Sequence, residues 1–268
     1  GSWSPDGGFI AYSHSQNGPT DIFVVAAAGG DPIRLVQGSC DNFAPRWSPD
    51  NRWVAFASNR DEKTAIYVVP PLGGQIQKLA DVGFPALSGL LGGCLGANPW
   101  SPDGQRLLFA RIEEEGTMSV WVLEMDTRKE SRLTTAAAGS FHYSASFSPD
   151  GGKILYANST GNETTLETIP AAGGEAKEIL RESGSFVIPA WAPDGQRVVY
   201  GRESAGIWML DTRSGRKRQL IVLENPTGPV VSRDGRILYD QSSHQTDLYI
   251  QDVDGTNQQR LTFHTQDN

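Results

Sequence analysis

The chain has few of the residues that cross-link small proteins or bind metals. Among 268 residues there are two cysteines, Cys40 and Cys94, and four histidines, and neither set has metal-ligand spacing. No apolar run reaches the roughly 18 residues that a membrane-spanning helix needs. Lys and Arg total 23 against 31 Asp and Glu, so the basic excess of a nucleic-acid-binding surface is missing. We therefore expect no disulfide framework, no nucleic-acid partner and no membrane insertion.

Motifs of common catalytic sites are also missing. The sequence contains no His-Glu-x-x-His, no Gly-x-Ser-x-Gly and no Gly-x-x-x-x-Gly-Lys. Serine, histidine and aspartate are present, but a catalytic triad is recognised by geometry and not by inventory. We predict a non-enzymatic protein with no catalytic residue, no metal and no cofactor.

What the chain has instead is one short motif repeated along its whole length. It occurs as Trp3-Ser4-Pro5-Asp6-Gly7, Trp47-Ser48-Pro49-Asp50-Asn51, Trp100-Ser101-Pro102-Asp103-Gly104, Phe147-Ser148-Pro149-Asp150-Gly151, Trp191-Ala192-Pro193-Asp194-Gly195 and, in a degraded form, Val231-Ser232-Arg233-Asp234-Gly235. The starts lie 44, 53, 47, 44 and 40 residues apart. This spacing is typical of propeller blades with four strands each.

Each copy of the motif predicts a tight turn between two antiparallel strands. Proline presets φ, aspartate hydrogen-bonds the local backbone, and glycine adopts the left-handed conformation. A short run of β-branched and aromatic residues follows, such as Phe9–Tyr12 or Val198–Tyr200. A second run and a glycine-bearing turn come next. Because one blade alone leaves both faces exposed, blades are stable only when packed around a ring.

These residues resemble the WD-like Pro-Asp repeat of TolB-type β-propellers. The resemblance covers nearly the whole chain and implies an all-β, six-bladed β-propeller with four-stranded antiparallel blades. It also implies protein–protein contact or sensing, an extracytoplasmic location, and no catalytic residues in the repeat. The expected blades are residues 1–38, 42–82, 97–135, 141–181, 186–223 and 228–262, with a closing tail at 263–268.

The two ends leave two arrangements open. Only Gly1 and Ser2 precede Trp3, so the innermost strand of the first blade is nearly absent. Either the C-terminal tail closes the ring beside Trp3, or the chain is an excised piece of a longer protein. We favour the excised piece.

Alternating strand directions put the Ser-Pro-Asp and glycine-bearing turns on one face, here called the turn face. The blade-to-blade crossovers lie on the other, the crossover face. Acidic residues accumulate on the crossover face, where Asp41, Glu114 and His142 are candidate partner-binding residues. The alternative is a solvated surface that serves solubility.

The longest crossover, residues 80–98, contributes three further candidates for partner binding, Phe84, Leu90 and Leu91. Loops of this length are uncommon unless they serve a function. The leucines would either anchor a partner or pack inward as a lid over the channel mouth.

Two pairings of reactive side chains are also conceivable. Cys40 and Cys94 occupy similar positions in successive crossovers, so they are either a disulfide or two free thiols. His14, His244 and His264 could approach one another between the first and last blades, but no short spacing supports a metal site.

The sequence thus favours a non-catalytic binding or sensor module whose protein or peptide ligand binds on the crossover face or at the channel mouth, with its oligomeric state open. One alternative is a propeller domain that gates substrate access in a prolyl oligopeptidase-type peptidase. The other is a metal-dependent lyase or hydrolase acting in the channel. Fold alone does not decide among them.

Overall fold

The structure is a computed structural model that describes residues 1–15, 18–61, 63–83, 94–184, 188–202, 205–223, 228–242 and 246–261. In these ranges there are 23 strands and no helix, so the all-β prediction is confirmed. It follows that nothing in the described ranges is a helix able to cross a bilayer.

The strands follow the sequence repeat, and the six copies are called repeat units 1 to 6. Unit 1 has β1 (Ser2–Trp3), β2 (Phe9–His14), β3 (Asp21–Ala26) and β4 (Ile33–Val36). Unit 2 has β5 (Asn42–Trp47), β6 (Val54–Asp61), β7 (Lys63–Val69) and β8 (Gln77–Asp81). Unit 3 has β9 (Arg106–Ile112), β10 (Met118–Glu124) and β11 (Glu130–Arg132). Unit 4 has β12 (Phe141–Phe147), β13 (Lys153–Ser159), β14 (Glu163–Pro170) and β15 (Lys177–Ser183). Unit 5 has β16 (Pro189–Trp191), β17 (Arg197–Arg202), β18 (Gly206–Asp211) and β19 (Lys217–Ile221). Unit 6 has β20 (Val230–Val231), β21 (Arg236–Ser242), β22 (Thr246–Asp252) and β23 (Gln259–Arg260).

The sheets confirm the propeller class. They correct the predicted blade count, because four separate four-stranded blades are present where the sequence predicted six. Units 1, 2, 5 and 6 form four separate four-stranded antiparallel sheets. Units 3 and 4 share one seven-stranded sheet, because β10 pairs with β12 in parallel through Met118 and Phe141. The first strand of unit 3 is reduced to an isolated bridge between Trp100 and Leu107. Pro99, just before this bridge, has no N–H to extend the ladder.

The Ser-Pro-Asp turns are held by side chains as well as by the backbone. In unit 1 the Ser4 hydroxyl donates to Asp6 Oδ1 at 2.5 Å and accepts the N–H of Phe9 at 2.9 Å. The same Asp6 oxygen accepts the N–H of Gly8 at 2.9 Å. Gly7 has φ of 70°, the left-handed region that the motif predicted. Each turn is therefore specified locally by its own sequence.

The hydrophobic core lies mainly between units rather than inside them. Phe147, for example, packs with Leu108 and Val122 of unit 3 and with Ile154 of its own unit. The ring closes in the same way, because one cluster joins Trp3 of unit 1 to residues of units 5 and 6 such as Val199 and Ile237. A single unit would leave these side chains in water, which explains why the units depend on one another.

Candidate functional site

The six motif turns converge on a cavity at the turn-face end of the central channel. Its volume is about 380 Å³. The lining residues are Ser2, Trp3, Ser4, Pro5, Trp47, Pro49, Ala97, Asn98, Pro99, Trp100, Pro102, Phe147, Ser148, Pro149, Trp191, Pro193, Val230, Val231, Ser232 and Arg233. All six repeat units contribute, so the cavity exists only because the ring is assembled. A concave, mostly apolar site with few polar groups is typical of ligand pockets.

One position of the motif gives this cavity its charge. Five units place a proline there (Pro5, Pro49, Pro102, Pro149 and Pro193), and unit 6 places Arg233. Arg233 is exposed and is the one charged residue in the lining that the structure describes.

The four indole groups of the lining differ in their hydrogen bonding. The N–H of Trp47 donates to Asn51 Oδ1 at 2.5 Å, and that of Trp100 donates to the carbonyl of Arg46 at 3.2 Å. The N–H groups of Trp3 and Trp191 are buried and have no acceptor among the described residues. A buried donor without a partner is costly, so these two groups are unusual.

Arg46 is buried in β5, one residue before the lining residue Trp47. Its guanidinium donates to the carbonyls of Gly1 (3.0 Å), Pro45 (2.9 Å), Leu95 (3.2 Å) and Gly96. Burial lowers the pKa of Arg46 to about 10, and only 6% of the residue is exposed. Because Gly1 and Gly96 precede the lining residues Ser2 and Ala97, Arg46 ties together chain segments of units 1, 2 and 3 that lead into the lining.

The motif aspartates surround this face without lining the cavity. A hydrogen bond from the motif serine holds the pKa of Asp6, Asp103 and Asp150 below the usual range of a carboxyl, with a backbone N–H adding to the effect. These carboxylates are therefore acceptors fixed in their turns, which is the role that the sequence predicted for them.

The crossover-face candidates occupy three different environments. Glu114 is exposed in the turn between β9 and β10. Asp41 is half-buried and accepts the N–H of Thr20 at 2.9 Å, which ties two loops together. His142 is 6% exposed, its Nδ1 lies 2.9 Å from Thr134 Oγ1, and burial lowers its pKa. Phe84, Leu90 and Leu91 lie outside the described residues. The structure does not bring Asp41, Glu114 or His142 into the cavity.

The two cysteines are free thiols. Cys94 is buried, and burial raises its pKa to about 12, whereas Cys40 is half-buried. His14 lies at the end of β2, while His244 and His264 fall outside the described ranges. The described residues hold no group of three or more His, Cys, Asp or Glu side chains suited to a metal ion.

The sequence predicted a ligand on the crossover face or at the channel mouth, and its named candidate residues do not line this cavity. The signal was nevertheless present in the repeat. Arg233 stands where five other units have proline, and a departure from a structural repeat is a place to look for function. The unpaired indole groups had no signal in the sequence, since hydrogen-bond partners are set by packing.

A family model described as the TolB beta propeller domain matches residues 1–88 and 85–268. Among curated proteins, the uncharacterized protein Atu1656 of Agrobacterium fabrum is 31% identical over 172 residues, which are 61% of this chain and 56% of that protein. The chain thus spans about half the length of this relative.

Two solved structures illustrate the range of similar folds. TolB from Acinetobacter baumannii has a TM-score of 0.80 at 20% identity, over 97% of this chain and 64% of that one. An oligogalacturonate lyase from Vibrio parahaemolyticus has a TM-score of 0.61 at 14% identity, over 98% of this chain and 77% of that one. At such identities the likeness concerns the fold alone.

Proposed function

The chain belongs to the TolB β-propeller domain family, and from this premise we propose that it is a non-catalytic module that binds a protein or peptide at the turn-face mouth of its channel. The observation that carries the proposal is the cavity of about 380 Å³, which is lined by residues of all six units and has aromatic and proline side chains from five of them. Rigid apolar walls of this kind bind extended polypeptide segments at little entropic cost.

The chemistry of the lining supports binding over catalysis. Its described residues include no His, Cys, Asp or Glu that could act as a general base or hold a metal. The peptidase-gating and metal-dependent alternatives therefore gain no support from this cavity. A location outside the cytoplasm, which the family resemblance implies, is part of the same proposal.

A selection experiment tests the proposal directly. Peptides from a random displayed library are enriched on the purified chain, and their affinities are measured by isothermal titration calorimetry. Asn98→Trp adds a bulky ring to the cavity lining and should abolish binding. Leu72→Trp is the matched control, because Leu72 is 100% exposed on an outer turn of the same face.

The remaining outcomes separate the two faces of the propeller. Loss of binding in Glu114→Lys, with full binding in Asn98→Trp, would move the site to the crossover face and overturn the cavity proposal. Failure to enrich any peptide would count against a peptide-binding function.

A further inference from the structure

The cavity has one cationic position, and the rest of the fold is acidic. Arg233 is the charged residue of the described lining, whereas the whole chain has a net charge of −8. The neighbouring Asp234 is engaged with Arg236 at 2.9 Å, and no acidic side chain of the described chain lies within ion-pair distance of Arg233. A ligand carboxylate would therefore meet an unpaired guanidinium at the rim.

Two lining tryptophans with unmet indole N–H groups end the strands that flank β20, the strand before Arg233. Strand β20, which precedes Arg233, packs against β1 and β16. These strands end in Trp3 and Trp191, whose buried indole N–H groups lack an acceptor among the described residues. The sector of the cavity formed by units 5, 6 and 1 thus combines the exposed Arg233 with two lining tryptophans whose buried N–H groups have no acceptor among the described residues.

The opposite sector of the cavity is apolar. It consists of Trp47, Trp100 and Phe147 with their prolines. The exposed ring of Phe9 stacks on Trp47 at 6.5 Å between ring centroids, so the apolar surface continues outward from the rim. A ligand that fits both sectors has an apolar group beside a carboxylate.

The volume of the cavity, about 380 Å³, favours a chain end over an internal segment. An internal segment needs room for the chain on both sides of the bound residue, whereas a chain terminus needs it on one side only. The C-terminal end is the terminus that supplies a carboxylate next to its last side chain.

We propose that the cavity binds the C-terminal end of a polypeptide with an apolar last residue, whose carboxylate pairs with Arg233 between Trp3 and Trp191. This inference rests on the proposed function and specifies the partner chemistry of the same site. The ring of Trp47, Trp100 and Phe147 receives the last side chain.

Three short peptides test the carboxylate. The first is acetyl-Ala-Ala-Phe with a free C-terminal carboxylate, and the second is the same peptide as its C-terminal amide. The third, acetyl-Ala-Phe-Asp-amide, has only a side-chain carboxylate. Binding is followed by the indole N–H signals of the isotope-labelled chain, which contains seven tryptophans. We expect the free-acid peptide to bind about three- to tenfold more tightly than its amide.

Two variants of Arg233, one of them chosen from the residue that the repeat has at this position, test the carboxylate contact. Arg233→Pro restores the residue that five other units have at this position, and no described hydrogen bond uses the Arg233 N–H, so the turn should fold. This variant should abolish the preference for the free acid, whereas Arg233→Lys should retain most of it. The signals of Trp3 and Trp191 should shift on binding. Those of Trp121 and Trp208, whose N–H groups donate to Glu113 and Ala205, should not.

Each other outcome overturns the inference in a recognisable way. Equal affinity for acid and amide, or no shift with either at about 10 mM, removes the role of the carboxylate. Tighter binding of the Asp-containing amide would assign the site to an internal acidic residue. If library peptides still bind and lose affinity in Asn98→Trp, the protein-binding proposal survives the loss of this inference.

Discussion

Repeat unit 4 carries an intact Ser-Pro-Asp-Gly turn, and repeat unit 6 carries the most altered copy of it. Both retain the serine and the aspartate. The Ser148 hydroxyl donates to Asp150 at 2.6 Å and accepts the N–H of Lys153 at 2.9 Å. Ser232 donates to Asp234 at 2.5 Å and accepts the N–H of Arg236 at 2.8 Å. The serine–aspartate pair therefore holds the turn even where the proline is absent.

The two units differ in how they meet their neighbours. The Phe147 ring of unit 4 fills the seam to unit 3 and lies 5.1 Å from the Arg106 guanidinium carbon. In unit 6 the smaller Val231 occupies this position. At the next seam, Arg236 of unit 6 lies 4.4 Å from the Trp3 ring and donates to the Gly7 carbonyl. The serine and aspartate of the motif hold the turn, whereas its first residue packs between neighbouring units. The proline position does neither of these in unit 6, so its side chain is available for binding.

The largest expected difference in stability concerns the first residue of the motif, which packs between neighbouring units. Phe147→Ala should lower the free energy of unfolding by about 3–5 kcal/mol, because a fully packed ring leaves a cavity. Val231→Ala removes two buried carbon groups and should cost about 1.5 kcal/mol. Urea unfolding curves of both variants provide the measurement, and equal losses would mean that the seams are equivalent.

Removing the motif serine should destabilise both units to a similar extent. Ser148→Ala and Ser232→Ala each lose a donor to a carboxylate and an acceptor for a strand N–H, which together are worth about 1.5–3 kcal/mol. Thermal or urea unfolding measures both. A loss confined to unit 6 would show that Pro149 holds the unit 4 turn without its serine, contrary to our interpretation.

The motif glycines offer a finer contrast. Gly151 and Gly235 have φ of 72° and 90°, so an alanine at either should cost about 1–2 kcal/mol. A Cβ at Gly151 would also lie 3.2 Å from Pro102 Cδ, while one at Gly235 meets nothing nearer than Val253 Cγ1 at 3.9 Å. We expect Gly151→Ala to be the more destabilising of the two. The opposite order in unfolding experiments would contradict the proline–glycine contact between units 3 and 4.

The smallest expected effect is on how the free energy of unfolding depends on pH in the acidic range. The pKa of Asp150 is lowered in the folded state, chiefly by the Ser148 hydroxyl. Its contribution to stability is therefore complete above the ordinary carboxyl pKa and is lost as pH falls through the folded value. Ser148→Ala should flatten the decline of unfolding free energy between about pH 5 and pH 3. An unchanged slope in the variant would indicate that Ser148 does not set this pKa.

Much of the fold could be predicted because each repeat encodes its own turn and strands. The runs Phe9–Tyr12 and Val198–Tyr200 lie within β2 and β17, and Gly7 has the left-handed φ expected of it. The pairing of Met118 with Phe141, which joins units 3 and 4, had no local signal. This pairing depends on how two adjacent units pack against each other, which residues close together in the sequence do not determine.

The candidate site was less predictable for a related reason. Charge counts favoured the crossover face, yet Asp41 and His142 have hydrogen-bond partners there, at Thr20 and Thr134. Counting charged residues along the chain does not show which of them are already engaged. The cavity at the turn face depends on side chains from all six units, which no single repeat contains.

By itself, the sequence determined the propeller family, the turns and the strands, because these follow from residues within a few positions of one another. Only the tertiary structure decided which motif side chains would wall a cavity, that Arg46 would bind the Gly96 carbonyl of another unit, and that the indole N–H groups of Trp3 and Trp191 would lack acceptors among the described residues. These properties arise from residues up to about 230 positions apart that meet only when the ring closes, and closure is a property of the assembled units.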